Sequence, residues 1–177
     1  MRLGKWARHR RVRPLLCGLA WGSIACSGLG LAQAAGLHVL LNLTPSLPRG
    51  LYLVRPLGTL TPGTLVVLQP ETALQPLLGD RHYLPPGLPL LKPVAAVAGD
   101  TVCVEEDVRV NGQVLTTVIA ATDTQGRPLP QWRGCRVLED EVFLLSTWHP
   151  RSLDSRYYGP VHASRLQGRA IPVWTWE

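Results

Sequence analysis

The sequence predicts a mainly β domain behind one N-terminal transmembrane helix, and three observations carry that prediction. A basic N-terminus runs directly into a long apolar stretch without charge. The remainder alternates short β-branched or Leu-rich runs with Gly and Pro, and an Asn-Gly pair joins two of those runs. At 177 residues the chain can hold one domain with a real core plus an anchoring segment, and is too short for two ordinary domains.

The formal charge of +6 would point to nucleic acid if it were spread along the chain. Instead Arg2, Lys5, Arg8, Arg10, Arg11 and Arg13 crowd the first thirteen residues, and the other twelve basic residues face twelve acids, beginning at Glu71. A nucleic-acid partner is therefore disfavoured. From Pro14 to Pro48 there is no charged residue, and Leu15 to Leu41 is mostly Leu, Ala, Gly, Val, Trp and Cys. About 20 such residues at about 1.5 Å each cross a hydrocarbon core. With positive charge inside, the rest of the chain lies outside the cytoplasm. Ala32-Gln33-Ala34 fits a cleavage site, but an apolar stretch reaching from Leu15 to Leu41 exceeds the ~7–15 residues of a cleaved signal and favours a retained anchor.

Cys17 and Cys26 sit in the apolar run as small hydrophobes. Cys103 and Cys135 lie in the exported part, where an oxidising compartment permits a bridge worth about 3 kcal/mol or more. Two free buried thiols are the alternative, and no zinc-type spacing is present.

Beyond Pro48 the Gly- and Pro-punctuated pattern breaks helices and suits strands. Expected strands are Leu51–Arg55, Thr64–Gln69, Leu90–Val97, Thr101–Glu105, Val108–Val110, Gln113–Thr117, Glu141–Ser146 and Ala170–Trp174. Asn111-Gly112 predicts a tight hairpin with both residues at positive φ. Gln69–Pro89 and Ala120–Gly134 read as loops.

Lys92 is the exported part's only lysine, against eleven arginines. Burial can lower a lysine pKa towards neutrality, whereas guanidinium stays charged. The flanking Pro89-Leu90-Leu91 and Pro93-Val94-Ala95-Ala96-Val97 would desolvate the amine, as a general base requires. The plainer alternative is a lysine snorkelling from a strand edge. Candidate nucleophiles are Ser46, Ser146, Ser152, Ser155 and Ser164. Ser46 stands apart in Thr44-Pro45-Ser46-Leu47-Pro48-Arg49-Gly50, where prolines restrict the backbone and glycine permits a sharp turn. In isolation the same segment reads as an ordinary linker turn. A third cluster is Ser152-Leu153-Asp154-Ser155-Arg156-Tyr157-Tyr158-Gly159. Extended-chain alternation would put Ser152, Asp154 and Arg156 on one face, and a solvated loop with an incidental ion pair is the alternative.

In this order behind an anchor, three blocks resemble the type I signal peptidase family, most closely its conjugative-transfer (TraF-like) branch. They are Ser46-Leu47-Pro48-Arg49-Gly50-Leu51-Tyr52, the run from Leu90 to Asp100 with Lys92 ahead of Gly99-Asp100, and Asp154-Ser155-Arg156-Tyr157-Tyr158-Gly159. The resemblance spans Leu41 to Trp176 and implies a signal-peptidase-type, LexA-like β-domain. It implies Ser46 as acylated nucleophile, Lys92 as general base and Ser152 as the hydroxyl orienting the amine. Asp154 and Arg156 match a structural ion pair, and the branch counts the aspartate among residues needed for activity. The Ser46 N–H with the Thr44 hydroxyl would form the oxyanion hole. No metal or cofactor is implied.

The sequence departs from the general secretory enzymes at Ser146–Arg151, which replaces their Gly-Asp-Asn-Arg, and it lacks their long insertion before the C-terminal box. Both departures favour a specialised substrate, which in this branch is a conjugative pilin precursor that some members close head to tail. The expected division is 1–13 basic cytoplasmic flank, 14–41 transmembrane signal-anchor and 42–177 periplasmic β-rich serine peptidase domain. The expected place is the bacterial inner membrane, single-pass, with Ser46 near the bilayer and a membrane-tethered precursor as partner. The alternatives are a general type I signal peptidase, a non-catalytic anchored assembly module of a secretion channel, and a LexA-type self-cleaving regulator.

Overall fold

A computed structural model describes residues 36–176. Its strands are β1 (His38–Asn42), β2 (Arg49–Arg55), β3 (Leu65–Leu68), β4 (Leu90–Ala96), β5 (Thr101–Val104), β6 (Val108–Val110), β7 (Gln113–Thr116), β8 (Gly134–Val137), β9 (Glu141–Leu144), β10 (Val161–His162) and β11 (Leu166–Trp176). There are two four-residue helices, α1 (Gln75–Leu78) and α2 (Ser155–Tyr158), and two 3-10 turns, at Thr72–Leu74 and Ala163–Arg165. One sheet has the order β1-β2-β11-β3-β4-β9-β10 and the other β7-β6-β5-β8.

The centre of the larger sheet is covered on both faces. Along β3, Val66 and Leu68 pack with Leu90, Val94, Val142 and Leu144, while Val67 packs oppositely with Leu47, Tyr52, Val54, Leu91 and Ala170. This is the period-two alternation of a strand, and double coverage explains why β3 and β4 read as nearly continuous apolar runs. Lys92 pairs with Val66 and Leu90 with Leu68, so the lysine shares the strand face of Leu90 and Val94. The β4–β9 pairing shifts register between Val94 and Ala96. Beyond the shift Ala96 and Phe143 join a third core, with Val102, Val104, Val108, Leu138 and Leu145. Each buried Val, Leu or Phe side chain contributes about 1.5–3 kcal/mol.

Asn111 (φ 50°) and Gly112 (φ 80°) form the expected two-residue turn, with Val110 opposite Gln113. Cys103 and Cys135 stand opposite each other on β5 and β8, with Cα atoms 4.0 Å apart, and are joined by a disulfide. Cys17 and Cys26 lie outside the described residues. Gly50 is required by close approach: a Cβ there would lie 2.2 Å from the Trp174 carbonyl oxygen. Pro172 sits in β11 beyond Arg169, where the pairing with β3 ends, and at the register shift between Pro172 and Trp174 in the pairing with β2, an irregularity of the kind that tolerates proline.

Several expectations need correction. His38–Asn42 is a strand beside β2, so residues 38–41 do not belong to the expected 14–41 span. The earlier part of that span and the 1–13 flank lie outside the described residues. Among the described residues no helix is long and apolar enough to cross a membrane. β8 and β10 were not expected, being short and recognisable only by their partners β5 and β9. The expected loop Gln69–Pro89 contains α1, and β11 is longer than Ala170–Trp174 at both ends.

Candidate active site

The buried polar residues of the described chain are Asn42, Lys92, Ser146, Ser152, Asp154, Ser155 and Arg156. Polar groups are rarely buried without partners; Ser155 accepts the Leu144 N–H, and the other six form one connected arrangement that reaches Ser46. Lys92, Ser46, Thr44, Ser152 and Tyr157 all line a cavity of about 250 Å³. Its far wall comes from two loops that are tied together. The Tyr83 hydroxyl donates to the Asp123 carboxylate, and Arg127 Nε donates to the same group at 2.6 Å.

The turn that carries Ser46 is held at several points. Leu47 is buried against Tyr52 and Val54. The Tyr52 hydroxyl donates to the Pro48 carbonyl at 2.6 Å, and the Ser146 hydroxyl donates to the Ser46 carbonyl at 2.5 Å. Ser46 Oγ lies 3.3 Å from Thr44 Oγ1. Among the described residues the Ser46 N–H has no backbone acceptor, which leaves it available to an oxyanion.

Lys92 is only 2% exposed, and its Nζ donates to Ser152 Oγ at 2.9 Å. Burial among apolar side chains lowers its pKa from the ordinary 10.5 to about 8; the Asp154 charge opposes the shift and the Arg156 charge assists it. An amine held by one N–H and partly neutral has a lone pair to accept a proton. Ser46 and Lys92 share the cavity but make no direct hydrogen bond.

The chain is extended at Asp154 but turns helical from Ser155, so the expected strand-like alternation does not run through to Arg156. Asp154 caps α2, accepting from the Arg156 N–H, and the same carboxylate takes Arg156 Nε at 2.8 Å and Nη2 at 2.9 Å. The cap satisfies an orphan helix donor and the side-chain pair is bidentate, two bond types that reinforce each other. Asp154 also accepts from the Ser146 N–H at 3.1 Å. It is fully buried and absent from the cavity lining, so its geometry is that of a positioning residue rather than a reacting group. Arg156 Nη2 further donates to the Ser152 carbonyl at 2.9 Å, extending the support to the residue that holds Lys92.

Sequence reasoning passed over Asn42 and the role of Ser146. Asn42 was readable as a polar residue two positions before Thr44, a spacing at which Asn side chains bond local backbone. The Ser146 contact joins residues a hundred positions apart and had no local signal.

Residues 23–176 match the sequence profile of the signal peptidases, peptidase S26. A conjugal transfer protein TraF of Sinorhizobium fredii is 39% identical over 96% of this chain and 94% of its own. The conjugal transfer protein TraF of Agrobacterium tumefaciens is 38% identical over 96% and 99%, and a plasmid transfer protein TraF of Escherichia coli is 31% identical over 92% and 93%. A signal peptidase I structure from Enterococcus faecalis aligns with 64% of this chain and 97% of its own, at 20% identity and a TM-score of 0.36. With the profile covering nearly all of the β-domain and the relatives covering nearly the whole chain, this protein belongs to the signal peptidase family, peptidase S26.

Proposed function

We propose that the chain is a membrane-anchored serine endopeptidase that matures an exported precursor for conjugation, with Ser46 and Lys92 as its reacting pair. The observation that carries this reading is a buried, solvent-starved lysine amine lining one cavity with a serine whose turn is fixed by neighbouring groups. Ser46 Oγ attacks the scissile carbonyl carbon as its proton passes to Lys92 Nζ. Lys92 then protonates the departing amine, leaving an ester on Ser46. Water, or an amine if the product is closed into a ring, attacks the ester while Lys92 takes its proton and passes it to the departing Ser46 Oγ, restoring the hydroxyl and the neutral amine. The Ser46 N–H and the Thr44 hydroxyl receive the oxyanion charge. Ser152 orients the amine, and Asp154 and Arg156 hold Ser152 and Ser146.

The substrate in this reading is a membrane-tethered pilin precursor, because the relatives are conjugal transfer proteins and the expected anchor keeps the site beside the inner membrane. The domain then faces the periplasm. A reporter active only in the periplasm, fused after Glu177, is expected to be active in cells that also process the pilin precursor of the same transfer system. Cytoplasmic reporter activity would overturn the orientation, and unprocessed pilin would overturn the substrate.

The pH dependence has a defined sign. A base must be neutral, so kcat/KM should rise with pH through an apparent pKa of about 8. Because the folded pKa lies below the unfolded 10.5, the unfolded chain binds more protons between those values. Fold stability should therefore also rise from about pH 8 to 10.5. A flat cleavage profile from about pH 6 to 9 would remove Lys92 as the base.

A further inference from the structure

Asn42 is 6% exposed, and both polar atoms of its side chain bond within the turn that carries Ser46. Its Oδ1 accepts the Thr44 N–H at 3.1 Å and the Thr44 hydroxyl at 2.7 Å. Its Nδ2 donates to the carbonyls of Thr44 and Pro48, each at 3.1 Å, with a longer contact to Leu47 at 3.4 Å. One amide thus binds both ends of the turn that carries Ser46.

The Thr44 hydroxyl has one proton. It is given to Asn42 at 2.7 Å, so at the 3.3 Å contact with Ser46 Oγ the threonine oxygen is the acceptor and Ser46 the donor. Thr44 can donate to an oxyanion only after its proton turns away from Asn42. Asn42 therefore governs where the Ser46 proton points at rest and when the Thr44 proton is released. Tyr52 and Ser146 also hold the turn, but neither touches the Thr44 hydroxyl.

We propose that Asn42 is a positioning residue, holding through Thr44 and Pro48 the turn that carries the Ser46 hydroxyl and N–H, so that only a rotation of the Thr44 hydroxyl is needed to complete the oxyanion site. The inference rests on the Ser46–Lys92 reading for its catalytic consequence, and on the hydrogen bonds alone for its structural one. The two are measured separately.

The structural arm follows amide exchange by mass spectrometry in the full-length protein in detergent. Asn42→Ala should speed exchange of the peptide over residues 43–47 by at least about tenfold and leave β3 and β4 unchanged. Unaltered exchange would overturn the proposal. The kinetic arm follows cleavage of the purified pilin precursor, with Ser46→Ala as the blank. Asn42→Ala should lower kcat about 10²-fold while KM stays within about threefold. Asn42→Asp, nearly the same shape but without the Nδ2 donors, keeps the test open if the alanine variant does not fold, and should show the same split. Because Asn42 acts through Thr44, Asn42→Ala combined with Thr44→Val should lose little more than the worse single change. Fully additive losses, or wild-type kcat in both Asn42 variants, would overturn the proposal. Cleavage by Ser46→Ala at wild-type rate would instead overturn the catalytic reading and leave the exchange result standing.

Discussion

Lys92→Arg should abolish precursor processing as completely as Lys92→Ala. Arginine retains positive charge and hydrogen-bond donors, but guanidinium cannot accept a proton near neutral pH. The site adds a second penalty, since a charge that cannot be discharged would be placed among Leu90, Val94 and Val66. Ser46→Ala should be equally inactive, and the double variant should lose little beyond either single change, because residues acting as one unit are strongly non-additive. The measurement is the appearance of processed pilin in cells carrying each variant at matched protein level. Processing by Lys92→Arg at the wild-type rate would eliminate the serine–lysine mechanism and favour a non-catalytic anchored assembly module.

Arg156→Met should cost about 3–5 kcal/mol of folding stability, the loss typical of breaking one half of a buried ion pair. Arg156 is 2% exposed and Asp154 fully buried. Without the guanidinium the carboxylate keeps only backbone N–H partners, while the carbonyls of Ser152 and Val118 lose their donors. Replacing both residues by apolar side chains should cost less than Arg156→Met alone, because no uncompensated charge remains. Denaturant unfolding of the purified protein checks both expectations, and a fully stable Arg156→Met would refute the structural role of the pair. The pH profile adds an independent sign. Arg156 lowers the Lys92 pKa and Asp154 raises it. Arg156→Met should therefore move the rising limb to higher pH, and Asp154→Asn to lower pH.

Much of the fold was legible because strands and turns leave local marks. Asn111-Gly112 predicted its hairpin, since few residues other than Asn and Gly accept positive φ. The apolar runs that became β3 and β4 were visible because a strand covered on both faces needs apolar residues throughout. β1 was misread as the end of the anchor because Leu40 and Leu41 continue its composition. Only pairing with β2 reveals a strand there. The segment from Ser152 to Arg156 was misread as extended throughout because the helix that Asp154 caps is only four residues long, too short to show a helical period.

The sequence by itself determined the β-rich class, the isolated lysine in an apolar run, the serine between prolines, and the three blocks that mark the family. Tertiary structure decided how far Lys92 is desolvated, since Val66 and Leu144 arrive from two other strands to cover the face it shares with Leu90 and Val94. It alone brought Ser146 onto the Ser46 carbonyl and Ser152 onto the Lys92 amine. Local pattern records which residues suit a strand or a turn, whereas desolvation and hydrogen-bond partnership are set by what packs from distant parts of the chain.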